Sequence, residues 1–191
     1  ASQIAQVGRF LAERGWSPAT SSNYSTRLDQ DFIAITRSGI DKYLIVPSDV
    51  IVINTSGQVV APDGKKSSAE TLIHTTIYKV RPTAQAVLHT HSPTNTRLSL
   101  LYSAKKEIRF QGYEMQKGIS DVKSHETELI VPILSNHQDM NYFSGEVEQL
   151  LKSYPQVHGF LIAGHGLYTW GKDMTEAQRH IETFEFLFEC L

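Results

Sequence analysis

His89 and His91 stand two residues apart in AVLHTHS, at the polar end of an apolar run. Alternate side chains of a β-strand share a face, so this spacing sends both imidazoles to the same side. A third histidine, His165, lies between Gly164 and Gly166 in AGHGLYTW. Glycines there permit a sharp bend and bring the ring close to a neighbour. Three imidazole nitrogens with a position left open suit zinc or another late first-row metal in a catalytic rather than a structural site. A strand pair of histidines is common enough by chance that each ring could be a satisfied core group. The glycine-flanked third histidine and a nearby glutamate move the balance toward a metal. His74, His125, His137, His158 and His180 are read as surface or packing residues, with His74 set apart because it falls one turn after Glu70.

Glu70 has two readings, which do not exclude each other. With Ser67 it has the serine-to-glutamate spacing of a capping box, and it could also point into the site as a carboxylate near the metal. Ser67 and Ser68 begin the same helix, offering hydroxyls and free N–H groups at a helix N-terminus that favours an anion such as phosphate. Asn23 and the Ser38–Gly39 pair could add donors, although each of these polar turns is more often only a turn. Glu114, in QGYEMQKG between expected strands, has the ordinary reading of a solvated charge.

The elements that must position these residues alternate along the chain. Ile4, Val7, Leu11 and Ala12 recur at helical spacing and Gly15 follows, which predicts an amphipathic helix with a glycine cap. After the polar turn SPATSSN, runs 32–36 and 50–53 read as strands, the second leading into Asn-Thr-Ser-Gly, a hairpin composition. SSAETLIHTTIYKVRP reads as a helix stopped by Pro82, and AVLHTH as a buried strand. A helix over 94–102, strands near 108 and over 128–134, and a helix over 144–153 follow. GFLIAG and LYTW flank Gly164, His165 and Gly166 as a β-hairpin, and 174–191 has a long helical period. Strands that adjoin one another directly predict an α+β fold: a mostly antiparallel sheet covered by helices.

The chain has 191 residues, 40% hydrophobic and 20% charged, with a formal net charge of -2. Those values fit one folded domain over 1–191 and give no sign of disorder or of a nucleic-acid-binding surface. The single cysteine, Cys190, allows no intramolecular disulfide, and no stretch reaches the roughly 20 apolar residues that cross a bilayer. A cytoplasmic protein with no membrane or nucleic-acid partner is expected.

ATSSNYS, ITRSGIDK, KSSAETLIHT, AVLHTHS, GYEMQKGI, AGHGLYTWG and HIETFEFLFE together resemble the methylthioribulose 1-phosphate dehydratases of the class II aldolase and adducin superfamily. HTHS and GHGLYTWG are shared widely with aldolases and epimerases, whereas GYEMQKGI and the aromatic helix look particular to the dehydratases. The resemblance implies a class II aldolase-like fold, a phosphorylated sugar substrate, one zinc ion per subunit and a homotetramer with sites near subunit interfaces. Carried over by position, it makes His89, His91 and His165 the zinc ligands and Glu114 the acid/base. Glu70 matches the superfamily's other active-site glutamate, and Asn23, Ser38, Gly39, Ser67 and Ser68 match its phosphate cradle. The implied reaction removes the proton on carbon 3 of the ketose and then the hydroxyl on carbon 4, giving a 2,3-diketone in methionine salvage. A class II sugar-phosphate aldolase or epimerase is the nearest alternative. A non-catalytic adducin-like module would be expected to lack the histidine triad.

Overall fold

The computed structural model describes residues 1–191. Helix α1 (Ser2–Glu13) buries Ile4, Val7 and Leu11 and ends as foreseen, with Gly15 at φ +75°. The sheet strands are β1 (Asn23–Arg27), β2 (Phe32–Thr36), β3 (Val50–Asn54), β4 (Val59–Ala61), β5 (Ala86–Thr90), β6 (Glu107–Phe110), β7 (Leu129–Leu134), β8 (Gly159–Ile162) and β9 (Gly166–Gly171). They form one nine-stranded sheet in the order β4-β3-β2-β1-β5-β9-β8-β7-β6. Only β7 and β8 pair in parallel. The expectation of a mostly antiparallel sheet therefore agrees with the structure.

The remaining helices are α2 (Thr71–Val80), α3 (Pro93–Leu101), α4 (Met140–Ser153) and α5 (Met174–Glu189). α1, α3 and α5 cover one face, where Ile4, Leu11, Leu98, Ile181, Phe184 and Phe188 meet Leu88 and Leu167. α2 and α4 cover the other, where Ile73, Ile77, Phe143 and Val147 meet Ile35, Val87 and Phe160. Each such side chain, once fully buried, contributes about 1.5–3 kcal/mol by leaving water.

Three expectations need correction. The sequence predicts a polar turn ending at Asn23 and no element over 24–27, where the structure has β1; Asn23 and Ser25 there find side-chain partners in Glu70, His74 and Tyr78, while Thr26 and Arg27 bond backbone carbonyls. α4 starts at Met140 rather than 144, since the Asp139 carboxylate caps the N–H groups of Asn141 and Tyr142. The Ser67–Glu70 capping box does not form. α2 begins at Thr71 with no side-chain cap bond, the Glu70 carboxylate is drawn inward, and Ser67 instead forms a backbone bridge with Arg37.

For the site, strand register is what matters. Asn23 of β1 lies directly opposite His89 of β5, which lies opposite Tyr168 of β9. These three side chains stand abreast on the α2 side of the sheet. The His91 N–H, one residue past β5, donates to the Trp16 carbonyl at 2.8 Å and ties the strand end to the segment after α1.

Candidate active site

His89 is fully buried, and its Nδ1–H donates to the Leu167 carbonyl at 2.9 Å. This bond fixes the tautomer and leaves the Nε2 lone pair directed into the site. Tyr168 holds the ring in place by stacking on it, with centroids 3.9 Å apart and planes 10° from parallel. His165 enters from the turn between β8 and β9. Gly164, at φ +66°, makes that turn, and Gly166 passes so close to β5 that an added Cβ would stand 2.1 Å from the Thr90 carbonyl oxygen.

The result is a His165 Nε2 only 3.4 Å from His89 Nε2. A tetrahedral ion with metal–nitrogen bonds of about 2.0–2.1 Å would separate its ligand nitrogens by about 3.3–3.4 Å. The His91 ring centroid lies 4.4 Å from that of His89 and 4.8 Å from that of His165. One ligand atom each from Glu70, His89, His91 and His165 falls within 4.8 Å of all the others. The donor set and its spacing fit a divalent metal of the nitrogen-preferring kind.

The Glu70 carboxylate closes the cluster. Oε1 is 2.7 Å from His165 Nε2, and Oε2 is 3.5 Å from His89 Nε2. Oε2 also accepts from Asn23 Nδ2 at 2.6 Å and from the Tyr168 hydroxyl at 3.3 Å. Burial opposes ionisation of this carboxyl, but the imidazoles of His89 and His165 and the Asn23 amide more than offset it. Its pKa sits well below the carboxylate range. Burial holds His89 well below the usual histidine value, and His91 at about 4 through burial and the neighbouring His165. Burial thus favours the neutral forms of His89 and His91 beside the Glu70 carboxylate, and neutral imidazole is the form that binds a metal.

Beside the cluster lies a cavity of about 270 Å³ whose lining includes Asn23, Ser38, Gly39 and Ser68 together with Glu70 and His91. The structure therefore brings four of the five cradle residues to one place; Ser67 is outside it. Arg37 lines the same cavity, with its guanidinium bonded to Asp49 at 2.8 Å. The start of α2, with Glu70 at its N-cap position, also lies at this cavity. Glu114 is not brought to the cluster. It opens a 3-10 turn in which the Gln116 side chain is buried and the glutamate points outward, 70% exposed, paired with Lys117 and 3.7 Å from His125.

The model of the class II aldolase and adducin N-terminal domain matches residues 2–191. The chain belongs to the class II aldolase and adducin family. Among curated relatives in that family, the methylthioribulose-1-phosphate dehydratase of Marinobacter nauticus is 52% identical over 190 residues, covering 100% of this chain and 91% of its own. The dehydratase of the same name from Pseudomonas syringae pv. syringae is 50% identical over 188 residues, covering 98% and 91%. The solved L-fuculose-1-phosphate aldolase of Thermus thermophilus shares the fold, with a TM-score of 0.78 over 98% of this chain and 90% of that one, at 24% identity.

Tyr168 and Lys42, at this aldolase-family site, were not singled out from sequence, and His74 was set apart only by its spacing from Glu70. Tyr168 touches both His89 and Glu70, and only the pairing of β5 with β9 brings it there. Lys42 is buried, its ammonium donating to the carbonyls of Ser21 and Ile40, the first of which belongs to a residue lining the cavity. His74 is buried as well, and hydrogen-bonds Asn23 through Nε2. Its position one turn after Glu70 was the one available signal.

Proposed function

We propose that this chain is a methylthioribulose-1-phosphate dehydratase, a lyase of methionine salvage working in the cytoplasm as a homotetramer. The observation that carries the reading is the cluster of His89, His91, His165 and Glu70 beside a polar cavity. Full-length identity of about half to proteins bearing that name supports the substrate.

His89, His91 and His165 would hold one zinc ion, which supplies Lewis acidity toward the negative charge developing on the ketose oxygen. The cavity formed by Asn23, Ser38, Gly39 and Ser68 takes the phosphate, with the α2 N-terminus facing it. This anchor sets the sugar chain across the histidines and holds carbons 3 and 4 in a fixed place. Burial of His89 and the aromatic stack of Tyr168 keep water from the inner side of the site.

Removal of the carbon-3 proton needs a base, and departure of the carbon-4 hydroxyl needs a proton. Glu114 is assigned both transfers, the proton taken from carbon 3 leaving with the hydroxyl as water, and the enol then tautomerises to the 2,3-diketone. Glu114 is exposed and lies away from the cluster of its own chain, so this assignment has it act at the site of an adjacent copy in the homotetramer. Glu70 keeps its negative charge and orients His165 and Asn23.

The absence of any helix long and apolar enough to cross a membrane is compatible with this assignment. Metal removal tests it. Treatment with a strong chelator is expected to abolish dehydration, and about one equivalent of zinc per chain is expected to restore it. Full turnover by the stripped protein would contradict the metal's part.

A further inference from the structure

We infer that His74 is a positioning residue that fixes the amide of Asn23, and through it the carboxylate of Glu70, in a single hydrogen-bonding sense. His74 lies on α2 with no exposed surface, and neither the family match nor the histidine triad assigns it a part. Its Nδ1 is 2.7 Å from Ser25 Oγ, which is itself 2.9 Å from the Tyr78 hydroxyl, and its Nε2 meets Asn23 Oδ1.

The direction of every bond in this chain follows from its far end. The Asn23 NH₂ donates to Glu70 Oε2, at 2.6 Å. The Asn23 carbonyl then faces His74, whose Nε2 must carry the proton. Nδ1 is left as an acceptor, so the Ser25 hydroxyl donates to it, and the Tyr78 hydroxyl donates to Ser25. Donation thus runs from Tyr78 to Ser25, from Ser25 to His74 and from His74 to Asn23, and ends on the Glu70 carboxylate, whose other oxygen lies 2.7 Å from His165 Nε2.

Reversing the His74 tautomer would invite Asn23 to flip. Its oxygen would then face the Glu70 carboxylate with no proton between them, and a buried acceptor left unmatched costs about 1–3 kcal/mol. A neutral ring with one donor and one acceptor excludes that state. Burial keeps the ring neutral, its pKa lowered to about 3. An apolar side chain of similar volume would fill the space without setting the amide.

Nitrogen NMR of the histidine-labelled full chain, with and without zinc, reads the tautomer directly. The expected result at neutral pH is a neutral His74 ring protonated on Nε2. A ring protonated on Nδ1, or on both nitrogens, would overturn the inference. Two variants carry it further. His74→Gln keeps a donor toward Asn23, and His74→Met keeps bulk without one. Zinc affinity and kcat/KM are each expected to fall about 10–100-fold in the Met variant, the usual range for partners that orient ligands. Both should return to within about threefold of wild type in the Gln variant. Equal losses in both variants, or none in His74→Met, would refute the positioning role. The activity arm rests on the dehydratase reading. Should wild type fail to dehydrate the sugar phosphate, that reading falls, while the tautomer and zinc affinity still decide the part played by His74.

Discussion

Adding one methyl group at Gly166 should damage the metal site more than the fold. Gly166 opens β9 immediately after His165, and a Cβ built there lies 2.1 Å from the Thr90 carbonyl oxygen and 3.0 Å from Cε1 of His89. Carbon and oxygen atoms of neighbouring strands normally stay about 3.3–3.6 Å apart. Relief therefore requires β5 and β9 to separate by more than about 1 Å at the level where one leads to His91 and the other leaves His165. Overpacking of this kind costs about 1–3 kcal/mol. That corresponds to a melting-point loss of about 2–12 °C for a chain of this size. Ligand distances in a metal site tolerate only about 0.2 Å, so the affinity should suffer more. Zinc competition against a colorimetric chelator is expected to show at least a tenfold weaker site in Gly166→Ala, with the far-ultraviolet spectrum unchanged. Turnover should fall by about 100-fold, as expected for a 1 Å misplacement. Wild-type zinc affinity in this variant would refute the argument that the close strand approach builds the site.

His91→Ala should remove both the metal and the activity, as measured by elemental analysis and product formation; wild-type metal occupancy would exclude His91 as a ligand. Glu114→Gln should retain the metal and lose turnover by about 100-fold or more, and a fully active variant would take away its acid/base role. Phe184→Ala, which empties a fully buried position of α5, should cost about 3–5 kcal/mol in urea unfolding. His180 is buried with its pKa lowered to about 4, chiefly by burial, so it stays neutral in the folded chain while the unfolded chain takes up a proton below about pH 6.5. Its contribution is intact above that pH and is lost as pH falls toward 4, by about 2 kcal/mol at pH 5. Urea titrations at pH 7 and pH 5 should show wild type losing about 2 kcal/mol more unfolding free energy than His180→Asn between the two pH values, and equal losses would contradict it.

Much of this architecture is local and hence visible in the residue order. The α1 period closed by Gly15, the β3–β4 turn at Asn54–Gly57 and the β8–β9 hairpin about Gly164–Gly166 each satisfy short-range rules. The histidine pair was legible for the same reason, since period-two spacing puts both rings on one side. β1 was hidden because Asn23, Ser25 and Thr26 look like loop residues until Ser25 meets His74 and Tyr78, 49 and 53 positions away. The capping box at Ser67 failed on similar grounds. Asn23, His165 and Tyr168 offer Glu70 several partners from across the sheet, more than a helix end provides. Tyr168 could be recognised only from strand register, whereas His74 carried the one signal of its place a turn after Glu70. Glu114 entered through resemblance alone, and within one chain it remains at the surface with Lys117.

In the proposed function the histidine cluster drives loss of water from a phosphorylated ketose rather than cleavage of its carbon chain. Mass spectrometry of the products formed by zinc-loaded protein from methylthioribulose 1-phosphate, with fuculose or ribulose phosphate as control, tests it most directly. A dehydratase gives a single product lighter by one water from the methylthio sugar and negligible conversion of the controls. Retro-aldol fragments would contradict it in favour of an aldolase, and unchanged substrate in favour of a chain that keeps the fold without the reaction.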